Sequence, residues 1–470
     1  MKKMLMALSL SGALLGGSAI VWAEEAASTP ATEQTVAASD TVAETVTTVV
    51  AETTAPAEAA PAPEETPTAD TGDTAWILVS TALVLLMTIP GLALFYGGMV
   101  RKKNVLSTMM FSLSAAILVS LIWVIVGYSL AFSGSGAYIG DLAKAMLNGV
   151  AFDALSGTIP ESLFVIFQMT FAIITVAIIS GSIADRMKYS AFMAFIAIWV
   201  ILVYAPITHW VWAADGWLFK AGALDFAGGT VVHINAGVAG LVAAYMLGKR
   251  TGLGRESMAP HNLTLTVIGA SLIWVGWFGF NGGSALGAGA RASMAILVTQ
   301  VAAAAAAFSW LLVERLIRGK ASVLGGASGA VAGLVVITPA AGFVGVGGAL
   351  IMGLIGGVVC FWGITALKRL LKADDALDAF GLHAVGGIVG AVLTGIFYSE
   401  EIIKAAGVVL APTFAGQLWV QIEGVLATIV YSGVVTFIIL KVIDLVIGIR
   451  VSADDERMGL DLSQHGERIE

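Results

Sequence analysis

The sequence predicts an all-α integral membrane protein with eleven transmembrane helices. Of its 470 residues, 58% are hydrophobic and only 12% are charged, whereas soluble domains carry about 25% charged residues. The hydrophobic residues form long uncharged runs, and most basic residues lie in every second connection between the runs. This pattern is typical of a multi-pass membrane protein and excludes a chain of soluble domains.

The first 72 residues do not belong to the predicted membrane domain. Residues 1–23 have a basic start, an apolar stretch and small residues before Ala23, which is the pattern of a signal peptide. An uncleaved anchor helix is the alternative. Residues 24–72 contain ten acidic residues and no basic or aromatic residue. Because such a segment cannot bury enough apolar surface to offset its ordering entropy, we expect an acidic, disordered, Ala/Thr/Pro/Glu-rich tail.

Residues 73–448 form the predicted membrane domain, and residues 449–470 form a cytoplasmic tail. A spanning helix needs about 20 residues. The qualifying runs are residues 74–100, 105–140, 162–184, 189–214, 226–248, 257–290, 292–313, 321–367, 379–399 and 414–446. Residues 321–367 would be about 70 Å long as one helix, so we expect two helices with a break at Thr338-Pro339. The total is therefore eleven.

The basic residues predict the orientation of the helices. Connections that follow the odd-numbered helices hold fourteen Lys and Arg residues, against four in the alternate connections: Lys144, Lys220, Arg291 and Lys404. Basic connections stay in the cytoplasm. The N-terminus of the domain is therefore predicted outside and the C-terminus in the cytoplasm, and a signal peptide requires the same outside N-terminus.

Two segments share the pattern H-x3-G-x2-G. It begins at His233 on the fifth helix and at His383 on the tenth, and an aspartate precedes each segment, Asp225 and Asp378. Five helices separate the two segments, so they run in opposite directions. This arrangement predicts an inverted five-helix repeat with the functional site at the interface between its halves.

His233 and His383 are the first candidates for a functional role, because ionisable residues inside a membrane are expensive to keep there. The alternative for either histidine is a structural hydrogen bond. A metal site is disfavoured because further ligands are absent from the same turns. Both histidines come early in their runs, so their helices must begin deep in the membrane. Asp225 would then cap the fifth helix, with direct proton transfer as its second possible role.

Aromatic residues are concentrated at the predicted outer ends of three helices. Trp212 lies near the end of the fourth helix, Phe167 and Phe171 share one face of the third, and Phe280 and Ser284 share one face of the sixth. Tryptophans at a membrane interface are common. An aromatic cage with a hydroxyl group also suits a small cation, which aromatic ring faces attract.

These segments resemble the ammonium transporter (Amt/Mep/Rh) family, in its bacterial Amt branch. The resemblance covers about residues 74–470 and is carried by the strings GLALFYGGMVRKKNVLST, FQMTFA, DFAGGTVVHINAG, WFGFNGGS and FGLHAVGG. It implies an eleven-helix homotrimer with one pore per subunit. An isolated ammonium ion in an apolar pore would lose tens of kcal/mol of solvation, so we expect ammonium to be deprotonated and ammonia to be conducted.

The resemblance further implies a role for each site residue. Phe167, Trp212 and Ser284 match an external ammonium recruitment site, and Phe171 and Phe280 match a phenyl gate. His233 and His383 match twin pore histidines, and Asp225 matches an acidic residue near the recruitment site. The C-terminal tail, from Arg450 to Glu467, resembles the family's cytoplasmic tail, which implies a PII-type signalling partner. The alternative for the tail is simple solvation.

Other functions are less consistent with the sequence. A water or neutral-solute channel is disfavoured because an Asn-Pro-Ala pair is absent and an aromatic cage favours a cation. An ATP-driven pump is disfavoured because no phosphate-binding Gly-rich loop with Lys-Ser/Thr occurs. The sequence shows no arrangement of enzyme residues and no nucleic-acid surface, and it predicts no cofactor. A membrane ammonium sensor that acts through a cytoplasmic partner remains the alternative.

Overall fold

A computed structural model describes residues 68–469 of the chain as an almost wholly helical molecule. The predicted signal peptide and residues 24–67 of the predicted acidic tail lie outside the described residues. Within the described part, ten helices are long and apolar enough to cross a membrane, and a shorter apolar helix brings the number to eleven. The predicted all-α membrane fold is therefore confirmed.

The eleven helices are numbered α1–α11 in chain order. Their bounds are α1 Thr71–Met99, α2 Lys102–Phe132, α3 Glu161–Ile183, α4 Tyr189–Lys220, α5 Gly229–Leu247, α6 Leu263–Gly283, α7 Ala290–Arg318, α8 Val323–Ile337, α9 Val346–Leu371, α10 Phe380–Phe397 and α11 Phe414–Ile447. A short helix, Glu400–Ala405, precedes α11, and the tail forms α12 Ala453–Met458 and α13 Leu460–His465. Strands β1 Leu155–Ser156 and β2 Ile159–Pro160 make an antiparallel hairpin before α3.

Several helix ends differ from the predicted runs, and three helices illustrate the causes. Helix α1 begins at Thr71, because the Asp70 carboxylate accepts the backbone N–H of Asp73 at 2.8 Å and caps it. The second run was predicted to continue to residue 140, but α2 ends at Phe132. Gly134 follows at a φ of 76°, a left-handed conformation that glycine adopts without strain. The long sixth run is likewise helical only over Leu263–Gly283.

The break predicted at Thr338-Pro339 is confirmed. Helix α8 ends at Ile337, and the chain turns before α9 begins at Val346. At 15 residues, α8 is about 22 Å long. The buried turn that follows it meets the segment before α5, where Phe226 donates its backbone N–H to the carbonyl of Pro339 at 3.1 Å.

Wider π-helical turns occur in six of the described helices; those at Met87–Leu92 in α1 and Trp123–Gly127 in α2 have no counterpart five helices away, whereas the other four form two repeat-related pairs. They lie at Val200–Tyr204 in α4 and Gly363–Leu367 in α9, and again at Gly229–Ile234 in α5 and Phe380–Ala384 in α10. Each pair is separated by five helices. Such turns often mark functional sites, and the second pair contains the two candidate histidines.

The tail folds back on the predicted cytoplasmic end of the bundle. Leu460 donates its backbone N–H to Oδ1 of Asn104, and Ser107 donates its backbone N–H to Oδ1 of Asp461, each at 2.8 Å. The buried Glu456 pairs with Arg450 at 2.8 Å. Helices α12 and α13 are therefore held against the start of α2 by specific contacts.

Candidate functional site: an aromatic vestibule above a pair of histidines

The start of α5 is built around the carboxylate of Asp225. This group accepts the backbone N–H groups of Gly228 at 2.9 Å, Gly229 at 2.5 Å, Thr230 at 2.8 Å and Val231 at 3.2 Å. It also accepts the hydroxyl of Thr230. The first amides of a helix have no partner within the helix, so these are the contacts of an N-terminal cap. They let α5 begin below the bundle surface, four residues before His233.

The equivalent residue before α10 is Asp375 rather than the predicted Asp378. Asp225 and Asp375 each precede the histidine of their helix by eight residues. The Asp375 carboxylate accepts the backbone N–H of Ala379 at 3.2 Å and that of Phe380 at 2.8 Å. Asp378 instead pairs with Lys368 at 2.6 Å and has a φ of 63°. The aspartate that caps the helix is thus the one eight residues before the histidine, and not the one nearest to the histidine in sequence.

The two histidines meet in the buried centre of the bundle. Their Nδ1 atoms are 3.2 Å apart and their ring centroids 5.3 Å apart. Trp277 stacks on His233 at a centroid distance of 5.3 Å, and its Nε1 donates to the hydroxyl of Thr338 at 2.9 Å. The structure therefore brings together the two residues that the repeat singled out, and Trp277 fixes the ring plane of the first.

The glycines of the repeated motif explain how the histidines come so close. A Cβ atom on Gly237 would lie 2.5 Å from the backbone nitrogen of Ala384, and one on Gly387 would lie 2.7 Å from the carbonyl oxygen of Gly229. At each glycine, the absence of a side chain therefore lets the backbone of the other half of the repeat approach closely. These two reciprocal contacts are those expected at the interface of an inverted repeat.

The last glycine of each motif extends the same symmetry. A Cβ atom on Gly240 would meet Ser182 of α3 at 2.4 Å, and one on Gly390 would meet the carbonyl oxygen of Val336 in α8 at 2.3 Å. Helices α3 and α8 are themselves five helices apart. In both halves, the first glycine of the H-x3-G-x2-G pattern thus permits a close approach by the other half, and the second permits a close approach by α3 or α8.

Two phenyl rings lie directly above the histidines. Phe171 and Phe280 are stacked, with centroids 4.3 Å apart and planes at 29°. The Phe280 ring lies 6.0 Å from His233. Both side chains are buried, so the predicted gate residues form a hydrocarbon barrier next to the histidine pair.

A cavity of about 450 Å³ opens on the other side of these rings. We call it the vestibule; Phe171, Trp212, Asp225, Ser284 and Arg291 are among the residues that line it. The Trp212 ring stands perpendicular to Phe171 at a centroid distance of 5.7 Å, and its Nε1 donates to the carbonyl of Asp225 at 2.8 Å. The Ser284 hydroxyl donates to the carbonyl of Phe280 at 2.8 Å, which leaves its oxygen lone pairs able to accept from a ligand.

Phe167 lies behind the wall of the vestibule and not in its lining. It is 1% exposed and is not part of the vestibule lining. Its ring lies behind Phe171, edge-on at 5.0 Å, because the helical spacing of four residues places it one turn away on the same face. Phe167 thus supports the ring of Phe171, which lines the vestibule, and the recruitment role of Phe167 stays a prediction.

Gln168 is a polar vestibule residue that the sequence reasoning missed. Its side chain is 8% exposed and lines the vestibule, and its Oε1 has no hydrogen-bond partner among the described residues. A buried amide oxygen without a partner is an acceptor available to a ligand. The sequence contained a signal for it, because Gln168 places a polar amide between Phe167 and Phe171 in the string FQMTFA.

A second, very small cavity lies beside His383. Apolar and aromatic side chains make up the rest of its lining, among them Ile174, Ile178, Trp277 and Val331. Its volume is about 10 Å³, and a single water needs about 10–15 Å³ and polar partners. The path next to the histidines is therefore narrow and apolar.

Another buried histidine and the single cysteine lie away from this path. Both ring nitrogens of His209 face backbone carbonyls, those of Ala131 and Gly136. Cys360 is buried in α9, and its thiol contacts the carbonyl of Leu382 at 3.8 Å. These residues have structural contacts and do not line the vestibule.

Comparison with known proteins identifies the architecture. A family model described as the Ammonium Transporter Family matches residues 75–469. The chain belongs to the ammonium transporter family. Identity is 52% over 399 residues to an ammonium transporter of Bacillus subtilis, covering 84% of this chain and 98% of the relative. It is 46% to the ammonium transporter Amt1 of Archaeoglobus fulgidus, with the same coverage. The resemblance predicted from the sequence motifs is therefore confirmed.

Solved structures share the fold of this chain. The crystal structure of Candida albicans Mep2 matches with a TM-score of 0.78 and 37% identity, covering 85% of this chain and 90% of that one. A structure described as a sensor Amt protein matches with a TM-score of 0.78 and 30% identity, covering 84% of this chain and 98% of that one. The fold therefore occurs both in Mep2 and in a protein described as a sensor Amt protein.

Proposed function

We propose that the protein is an ammonium transporter that recruits ammonium in the vestibule, deprotonates it and conducts ammonia past the phenyl gate and the histidine pair. One observation carries this proposal. The vestibule, the stacked pair Phe171 and Phe280, and the hydrogen-bonded pair His233 and His383 follow one another without a gap. Family membership supports ammonium as the substrate.

Recruitment rests on groups that suit a small cation. The faces of Trp212 and Phe171 carry negative potential, and a cation–π contact contributes about 0.5–2 kcal/mol depending on desolvation. The hydroxyl oxygen of Ser284 and the amide oxygen of Gln168 can each accept an N–H bond from ammonium. The ion would keep part of its hydration shell, because the vestibule holds many water volumes.

The gate selects the neutral form. An isolated ion in an apolar medium loses tens of kcal/mol of solvation, and the rings of Phe171 and Phe280 offer no oxygen ligands. Ammonia has no net charge, so its passage avoids most of that penalty. Potassium cannot lose its charge by releasing a proton, so this barrier excludes it.

The histidine pair would act beyond the gate. Each neutral imidazole offers one donor and one acceptor, so the pair can hold ammonia by hydrogen bonds in an otherwise apolar path. Imidazole can also accept and pass on a proton. We assign His233 and His383 to conduction and proton exchange, and Asp225 to the cap of α5.

Uptake into proteoliposomes that contain the purified protein tests the proposal. Ammonium and potassium fluxes are compared for the wild type, Trp212→Leu and His233→Ala. We expect a wild-type flux that is specific for ammonium and weaker in both variants. An ammonium flux that is absent from the wild type, in vesicles shown to hold folded protein, would contradict the proposal.

The second candidate function is ammonium sensing through a cytoplasmic partner. The structural similarity to a protein described as a sensor Amt protein favours it, and the docked α12 and α13 offer a surface that could report pore occupancy. Binding of ammonium to wild-type protein without flux would support this candidate over transport.

We also propose a homotrimer in the cell (inner) membrane, with a cleaved signal peptide and the acidic tail outside. A PII-type signalling protein would bind the cytoplasmic tail. Size-exclusion chromatography with light scattering tests the trimer, and protease protection in oriented vesicles tests the placement of the two termini. A pull-down with a PII protein tests the partner.

A further inference from the structure

Arg291 is a charged residue in the wall of the vestibule. It belongs to the first turn of α7 and lines the same cavity as Trp212 and Ser284. Its guanidinium carbon lies 4.8 Å from the centroid of the Phe226 ring and 5.1 Å from that of Phe343. An arginine thus shares the cavity in which a cation would be recruited.

The charge of Arg291 has no carboxylate partner among the described residues. The structure records no ion pair to it within residues 68–469, and its Nε donates to the backbone carbonyl of Gly342 at 3.2 Å. Asp225 also lines the vestibule, but its carboxylate holds the first amides of α5. The two phenyl faces stabilise the guanidinium without neutralising it.

The position of Arg291 is fixed by packing. The Phe226 ring fits against Gly342, where a Cβ atom would lie 2.1 Å from it. The Phe226 and Phe343 rings are themselves edge-on at 5.6 Å. The Asp225 carbonyl accepts the Nε1–H of Trp212, and Phe226 is the next residue in the chain. The ring that carries the guanidinium therefore adjoins the residue that holds Trp212. The positive charge in the vestibule wall is therefore held in place by packing and is not that of a mobile surface chain.

We propose that Arg291 is a specificity-determining residue of the vestibule, whose positive charge opposes the retention of any cation and favours the loss of a proton from ammonium. This inference rests on the proposed function. A nearby like charge disfavours the charged form of a titrating group, and here the titrating group is the ammonium ion. Every cation experiences the same repulsion, but only ammonium can relieve it by releasing a proton. The ammonia that results meets the gate, and the proton goes to water in the vestibule.

Two substitutions separate charge from packing. Arg291→Gln removes the charge and keeps a polar side chain that can still donate, whereas Arg291→Lys keeps the charge and loses the planar stack. We expect the Gln variant to have a lower KM for ammonium, by roughly threefold to tenfold, together with stronger competitive inhibition by potassium. We expect the Lys variant to keep a KM near that of the wild type.

Ionic strength gives a test that needs no variant. Salt screens the repulsion between the guanidinium and an arriving cation, so the KM of the wild type should fall as ionic strength rises, with the bulky N-methylglucamine as the added cation. The KM of Arg291→Gln should stay nearly constant. Size-exclusion profiles in detergent establish that both variants remain folded.

The outcomes distinguish this inference from the proposed function. A robust ammonium flux in the wild type with an unchanged KM in Arg291→Gln overturns the role of Arg291 alone. A similar loss of flux in the Gln and Lys variants assigns Arg291 to packing and also overturns it. A wild type that does not transport ammonium overturns the proposed function first, and this inference with it.

Discussion

The Nδ1 atoms of His233 and His383 lie 3.2 Å apart in the buried centre of the bundle. A hydrogen bond between two ring nitrogens requires that one donate and the other accept. One ring therefore carries its proton on Nδ1, and the other, if neutral, carries it on Nε2. The Nε2 atom of His233 has no partner among the described residues, so it is available to a substrate. The two histidines act as one unit whose tautomers are linked.

The first prediction concerns that linked pair. We expect His233→Ala to lower the ammonium flux by at least ~10-fold, because a positioned proton acceptor typically contributes about 10²–10⁴-fold. Proteoliposome uptake measures the flux, and parallel potassium uptake measures selectivity. His261→Gln is the control, since His261 contacts the carbonyl of Val100 away from the pore. Unchanged flux and unchanged selectivity in His233→Ala would exclude a role in proton exchange.

The second prediction concerns the vestibule. We expect Trp212→Leu to raise the KM for ammonium about fivefold, with a smaller change in Vmax, because a cation–π contact of about 1 kcal/mol is lost before the gate. Initial rates across a range of ammonium concentrations give both constants. Trp419→Leu is the matched control, since Trp419 is 60% exposed on α11 and does not line the vestibule. Equal effects of the two substitutions would argue against a recruitment role for Trp212.

Much of this fold could be predicted from the sequence, because a membrane imposes simple requirements. Ten uncharged runs of about 20 residues or more located the helices, and the X-Pro signal at Thr338 correctly divided the longest run into two. The pairing of His233 with His383 was also accessible. Their shared H-x3-G-x2-G pattern, five helices apart, implied a two-fold relation that the structure shows as reciprocal glycine contacts.

Side-chain direction was less accessible to sequence reasoning. Phe167 and Phe171 share a helix face, and only the packing of α3 against its neighbours decides that Phe171 reaches the vestibule. Asp378 is closer in sequence to His383 than Asp375 is, yet its left-handed backbone directs it to Lys368. Sequence distance could not separate these two acidic residues, whereas the repeat spacing of eight residues could have done so.

The third prediction concerns the glycines between the halves. We expect Gly237→Ala to abolish most transport and to lower Tm, because its Cβ atom would lie 2.5 Å from the backbone of Ala384 and 2.6 Å from its Cβ. Backbone atoms cannot move aside without separating α5 from α10, and overpacking typically costs about 1–3 kcal/mol. Thermal unfolding in detergent and uptake measure the two effects.

Gly347→Ala is the control for that substitution. Nothing lies within 4 Å of a Cβ atom at Gly347, which is also helical. Alanine favours a helix by about 1 kcal/mol over glycine, so this variant should be as stable as the wild type or more stable. Equal Tm values for the two variants would contradict the tight approach described for Gly237.

The last prediction concerns the pH dependence of the docked tail. Burial lowers the pKa of His465, although Asp461 and Glu467 act in the opposite direction. The docked state therefore binds fewer protons than the free tail, whose histidine has a pKa of about 6.5. Docking is unaffected well above that pH and weakens as the pH falls below it. Burial raises the pKa of Asp461, so that group favours docking on acidification, but at pH values nearer the ordinary carboxyl range.

Hydrogen exchange at the start of α2 measures this docking, because Ser107 donates its backbone N–H to Asp461. Between pH 7.5 and pH 6.0 we expect exchange in this segment, corrected for its intrinsic pH dependence, to rise roughly twofold to threefold. His465→Gln cannot take up a proton, so its corrected exchange should stay constant over the same range. Equal pH dependence in the wild type and the Gln variant would show that His465 does not control the contact.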